Sequence, residues 1–169
     1  LQGITTGLLA GTEGIKIGGD STDYANITAS GNISMNGNDS GKSAGMSVIV
    51  DYANIESING DYHLNIAGEK TSNITNTNIT ANNIEITSDP VDLGGIVLSG
   101  VNVTSTVDDI HINTTAKNKS IWIKANSSLN SNRDIILNGE ANSTGEGIVI
   151  QGASDTSRNM IKAQRDITL

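Results

Sequence analysis

Pairs of aliphatic residues separated by a single residue recur along this 169-residue chain at a nearly constant step, and that recurrence limits the possible folds more than any other feature. One series is Ile33-Met35, Leu64-Ile66, Ile84-Ile86, Ile110-Ile112, Ile135-Leu137 and Ile167-Leu169, with a mean step of roughly 27 residues. A second runs between them: Ile15-Ile17, Val48-Val50, a weak member near Ile74, then Ile96-Leu98, Ile121-Ile123 and Ile148-Ile150. A third, shorter element falls at Ala25-Asn26-Ile27, Ala53-Asn54-Ile55, Asn78-Ile79, Val101-Asn102-Val103, Asn126 with Leu129, and Met160-Ile161. Apolar-x-apolar alternation is the period of a half-buried strand, so the repeating unit reads strand, strand, strand.

Composition agrees with strands. Ile outnumbers Leu and Val at 24 against 9 and 8, Phe and Cys are absent, and aromatics make up 2%. β-Branched side chains are stiff at χ1 and suit a pleated surface, which disfavours a helical bundle. One coil of this length cannot bury its own apolar face, but stacking coils in register builds a continuous aliphatic column. The expectation is an all-β, right-handed parallel β-helix of about six coils with three short strands each, a rod about 29 Å long at the usual strand spacing. Residues 1–169 read as a single β-helical segment cut from a longer repetitive protein, since the chain opens at Leu1 without Met. Ile33, Leu64, Ile84, Ile110, Ile135 and Ile167 are expected in one inward column. Gly and Ala just past the strands, at Gly18, Gly37, Ala67, Gly68, Gly100, Ala125, Gly139 and Gly152, mark corners. The longer last coil places a surface loop between Ser154 and Asn159.

Charge narrows the partners. A formal net charge of −8, with the 10 Lys and Arg scattered, opposes nucleic acid, because phosphate neutralisation needs clustered cations. No apolar run is long enough for membrane insertion. The lack of Cys suits a reducing cytosol, and equally a chain exported unfolded through a narrow pore.

Chemistry-bearing constellations are sparse. A polar column before the third strand reads Asn32, His63, Asn83, Asp109, Asp134 and Asp166. Stacked carboxylates there could share a cation or raise one another's pKa, but the favoured role is capping of the turn through backbone N–H groups. Arg133 and Arg165 precede two of these residues and could neutralise them. His63 is assigned to that turn column and His111 to an outward strand position two coils away, so no metal or catalytic pairing is expected. The segment from Gly18 to Asp23 resembles a calcium-binding nonapeptide once, without its period, and reads as a surface turn. No catalytic, cofactor-binding or metal site is assigned. Two outward features remain: an apolar contact stripe of Val97, Trp122 and Val149, and ten Asn-x-Ser/Thr sequons, of which Asn26, Asn78, Asn102 and Asn126 are expected to form an outward column.

Three stretches carry a family likeness: the run from Asn26 to Gly37, the run from Asn78 to Ile86, and the run from Arg133 to Gly139. On these the chain resembles the filamentous haemagglutinin family of two-partner secretion exoproteins, including its high-molecular-weight adhesins. The family's secretion domain carries Asn-Pro-Asn motifs, whereas the one Pro here, Pro90, follows Asp89, so the likeness is to the fibre beyond that domain. The resemblance implies a non-catalytic adhesive shaft, secreted or on the bacterial surface, exported with an outer-membrane secretion partner. It also implies binding to a host cell-surface receptor or glycan or to another surface protein, and hexoses on exposed sequons. The alternatives are a filament of a contact-dependent growth inhibition toxin-delivery protein, and a carbohydrate-active β-helix enzyme.

Overall fold

In the computed structural model, which describes residues 2–5, 14–39, 46–68, 70–90, 94–152 and 158–169, the chain is a parallel β-solenoid with three strands to each turn. After β1 (Gln2–Thr5) it winds through β2 (Ile15–Gly18), β3 (Ala25–Ala29) and β4 (Ile33–Asp39). The next turns are β5 (Val48–Asp51), β6 (Ala53–Ser57) and β7 (Tyr62–Gly68), then β8 (Ser72–Thr75), β9 (Asn78–Ala81) and β10 (Ile84–Pro90). They are followed by β11 (Ile96–Ser99), β12 (Asn102–Ser105) and β13 (Ile110–Ala116), and by β14 (Ile121–Lys124), β15 (Ser128–Ser131) and β16 (Ile135–Ala141). β17 (Ile148–Gln151), β18 (Met160–Ala163) and β19 (Ile167–Thr168) end the stack.

Three walls result. Wall A is a seven-stranded sheet, β1-β4-β7-β10-β13-β16-β19; walls B and C are six-stranded sheets led by β2 and β3. About four turns, β5–β7 to β14–β16, have a neighbour above and below on every wall. The expected six or so coils are thus about four complete turns between two end turns, with β1 added to wall A. The loop expected between Ser154 and Asn159 falls largely outside the described residues.

Alternation puts the aliphatic members inward, as a period of two demands. On wall B, Ile17, Val50, Ile74, Leu98, Ile123 and Ile150 stack in register. The weak member of this series has a cause: Ser72 takes the other inward position, buried, and its Oγ accepts the Val48 N–H at 3.1 Å. On wall C a column of Ile27, Ile55, Ile79, Val103, Leu129 and Ile161 is flanked by the small Ala29, Ser57, Ala81, Ser105, Ser131 and Ala163. Ser57, Ser105 and Ser131 each donate to a carbonyl of the neighbouring turn, those of Gly31, Asn82 and Asp108, so these inward hydroxyls tie the corners together.

Wall A corrects the expected column. Its first inward register is Ile33, Tyr62, Ile84, Ile110, Ile135 and Ile167; Leu64 belongs to the next one, with Met35, Ile86, Ile112 and Leu137. Tyr62 is fully buried, and among the described residues its hydroxyl reaches the Met35 sulfur, at 3.8 Å. At the last turn the column opens: Ile167 is 48% exposed and Leu169 66%. Further along wall A, Gly37 sits where a Cβ would run into Val48, so the strand can pass this close to wall B only without a side chain.

In the four complete turns the corner from wall B to wall C is made by a residue with positive φ: Tyr52 at 47°, Asn76 at 47°, Gly100 at 65° and Ala125 at 56°. Only one of the four is glycine, although L-residues pay roughly 1–2 kcal/mol for this region.

Candidate functional site

Wall C displays an amide ladder. Asn26, Asn54, Asn78 and Asn102 are consecutive outward partners. Asn54 Nδ2 donates to Asn26 Oδ1 at 3.0 Å, Asn78 to Asn54 at 2.8 Å and Asn102 to Asn78 at 2.9 Å, and Asn26 closes the end on the Tyr24 carbonyl at 3.0 Å. Thr28, Thr80 and Thr104 stand two residues along on the same face, so three sequons lie flat with both polar members outward. Asn126 does not join them. Ala125 and Asn126 both turn left-handed, and this longer corner puts Ser128 beside Asn102; Asn126 Oδ1 instead accepts the Arg158 N–H at 2.9 Å.

On wall B, Val97, Trp122 and Val149 are register partners, as the stripe requires. The stripe is partly covered: Val97 is 9% exposed and the other two are half-buried. Lys119 and Lys124 place their ammonium groups 4.2 and 4.1 Å from the Trp122 ring centroid, while the indole N–H donates to Gln151 Oε1 at 3.2 Å. Such contacts are attractive through the ring quadrupole. Lys119 also pairs with Glu146 at 3.5 Å. A cavity of about 290 Å³ opens beside this group, lined by Thr71, Val97, Asn118, Lys119 and Trp122.

The corner entering wall A holds the polar column, with one correction. Its second member is Asp61, because the strand begins at Tyr62. Three members reach the next turn: Asn32 Oδ1 accepts the Asp61 N–H at 2.9 Å, Asp109 Oδ1 that of Asp134 at 3.0 Å, and Asp134 Oδ1 that of Asp166 at 3.1 Å. Arg133 bonds Asp108 at 2.7 Å, and Arg165 Nε bonds Asp134 Oδ1 at 2.8 Å. The hydrogen bond from Arg165, with that from the Asp166 N–H, holds the Asp134 carboxyl below its ordinary range against partial desolvation. The stacked aspartates therefore act as caps with guanidinium partners. The turn from Gly18 to Asp23 is likewise closed by its own residues, with Asp20 Oδ1 accepting from Thr22 N–H and Oγ1 and from Asp23 N–H.

His63 stands on wall A itself, not in the turn. Its register neighbour is Glu85, and the other neighbour of Glu85 is His111. The two histidines of this chain therefore stand in register on either side of one glutamate on a single outward face, a neighbourhood that the turn assignment of His63 does not foresee. His63 Nδ1 lies 3.1 Å from Glu85 Oε2, and its Nε2 lies 3.9 Å from Asp61 Oδ2. Nearer the C-terminal ends of these strands, a polar groove of about 570 Å³ crosses wall A, bordered by Asn36, Asn65, Thr87, Asp89, Asn113 and Thr115. Asn65 donates to Asn36 at 2.9 Å and Thr87 to Asn65 at 2.6 Å along its floor.

Comparison with protein-family models, with curated proteins and with solved structures finds no match to this chain.

Proposed function

We propose that the chain is a structural and adhesive shaft segment of a secreted or surface-associated bacterial exoprotein. The observation that supports this best is the amide ladder from Asn26 to Asn102, in which a surface side chain repeats turn after turn and hydrogen-bonds to its own copies. Ladders of this kind stiffen a stack of strands and present the same group at regular intervals, which suits a rod that holds a partner along its side. The partner is a host cell-surface receptor or glycan, or another surface protein, and export runs through an outer-membrane secretion partner. The likeness to the filamentous haemagglutinin family supports the same reading and adds hexoses at the outward sequons.

Binding of the labelled chain to host epithelial cells tests it, with the core-disrupted Ile110→Asp variant as control. Saturable binding by the parent alone is the expected result; equal signals from both overturn the adhesive role. In the bacterium that makes the protein, antibody detection in the medium or on intact cells is expected, and detection only after lysis overturns the surface assignment.

A further inference from the structure

We propose that His63, Glu85 and His111 form a surface site for a divalent transition-metal ion, with Asp61 as the outer partner of His63. The register puts the three side chains on successive strands of wall A, all outward, with Glu85 in the middle. At the usual strand spacing the two histidine Cα atoms stand about 9–10 Å apart, so two imidazoles leaning inward meet above the central carboxylate. Two imidazoles and one carboxylate are a donor set suited to Zn²⁺ or Cu²⁺, leaving open positions for water or an external ligand.

Half of the arrangement is already in place. The His63 ring is held edge-on between two carboxylates, with Nδ1 toward Glu85 at 3.1 Å and Nε2 toward Asp61 at 3.9 Å. A ligating histidine commonly gives its second nitrogen to a carboxylate, which fixes the tautomer and strengthens the donor atom. Asp61 is positioned for that task, so Nδ1 is the nitrogen offered to the ion. The other half repeats the pattern: Asp109 precedes His111 by two residues, as Asp61 precedes His63. Asp109 is occupied by the Asp134 N–H and faces Arg133 Nε at 3.9 Å, so the outer shell on that side is weaker.

As the side chains stand, no group of three imidazoles and carboxylates among the described residues is gathered closely enough to hold an ion. The site therefore requires the side chain of His111, which is exposed and beside Glu85 in register, to turn toward that carboxylate. A net charge of −8 favours cation uptake over the whole surface, but only this column offers imidazole nitrogen, because the chain has no other histidine and no cysteine.

The test titrates Zn²⁺ and, separately, Cu²⁺ into the untagged chain by calorimetry, with both imidazole rings followed by NMR. One ion per chain is expected, and substoichiometric Cu²⁺ should broaden the ring signals of His63 and His111 together. His111→Ala and Glu85→Gln should each weaken binding at least tenfold while the thermal midpoint stays that of the parent. Asp61→Asn should weaken it by about 10- to 100-fold, the usual effect of losing an outer-shell carboxylate, and shift the His63 tautomer seen in ¹⁵N spectra. Asp166→Asn, on the same rod but outside the column, should change nothing. Parent and His111→Ala binding alike, or broadening of one ring without the other, overturns the proposal.

Discussion

The Tyr62 hydroxyl faces the Met35 sulfur at 3.8 Å, with both side chains sealed in the aliphatic core. A thioether is a weak acceptor, so this phenol gives up its hydration for little return. Tyr62→Phe should therefore leave stability within about 1 kcal/mol of the parent, whereas Tyr62→Ala should cost about 3–5 kcal/mol through the cavity. Urea unfolding measures both. Burial also pushes the Tyr62 phenol far above its ordinary range. With the folded value raised, the linked stability is complete below the unfolded value of about 10 and declines as pH rises beyond it. In an alkaline titration the phenolate absorbance of Tyr62 should appear only together with loss of the β-sheet circular dichroism signal.

Ile110 lies between Ile84 and Ile135 with no exposed surface, while Ile167, in the same column, is 48% exposed. Ile110→Asp should cost several kcal/mol, because an unpaired carboxylate between buried isoleucines has nothing to compensate it. Ile167→Asp should cost less than about 1 kcal/mol, as substitutions at exposed positions usually do. Equal losses in chemical denaturation would mean that the end turn is as well covered as the middle.

Ala125 holds a φ of 56° at the corner where an earlier turn has Gly100 at 65°. Ala125→Gly relieves the left-handed penalty and loses part of the gain to unfolded-chain entropy, for a net stabilisation of about 0.5 kcal/mol. Gly100→Ala should destabilise by about 1 kcal/mol, since the new Cβ adopts the same conformation and stands 3.0 Å from Asn76 Oδ1. Thermal midpoints of the two variants should move in opposite directions.

Arg165 lowers the folded-state value of Asp134, so the ion pair contributes stability above the unfolded carboxylate value of about 3.9 and loses it as pH falls through the lowered folded value. NMR titration of the Asp134 carboxyl should show its midpoint rising in Arg165→Gln. An unchanged midpoint would assign the shift to the Asp166 N–H instead.

Each ladder amide uses one of its two Nδ2 hydrogens, so a hexose replacing the other leaves the ladder bond intact. Intact mass spectrometry on protein from the cells that naturally make it should show hexose increments mapping to Asn26, Asn78 or Asn102. Asn126, outside the ladder, tests whether the sugar follows the sequon or the flat wall. An unmodified mass would remove glycosylation from the proposal.

Walls B and C are legible in the sequence wherever two aliphatic residues alternate, since nothing else satisfies a buried period of two. The reading slips where a polar-capable residue is buried. Tyr62 does not count as aliphatic, so Leu64-Ile66 is taken for the pair that is in fact Tyr62-Leu64. The same slip moves His63 from the wall to the turn, which hides its pairing with Glu85 and His111. Asn126 fails for another reason: a step of 24 residues matches the ladder from Asn54 to Asn102, but corner length is set by backbone conformation at Ala125 and Asn126, which side-chain pattern does not reveal. Val97 is 9% exposed although it lies on the outward face, a burial that periodicity does not report.

Every wall joins each turn to the next in the same parallel sense, and the inward columns continue unbroken from turn to turn. A whole turn removed or duplicated in the gene would leave matching edges on both sides of the junction, whereas loss of a single residue inside a strand would turn its inward face outward. Recombination can therefore lengthen or shorten such a rod in steps of one coil, making its reach an evolvable quantity separate from its stability.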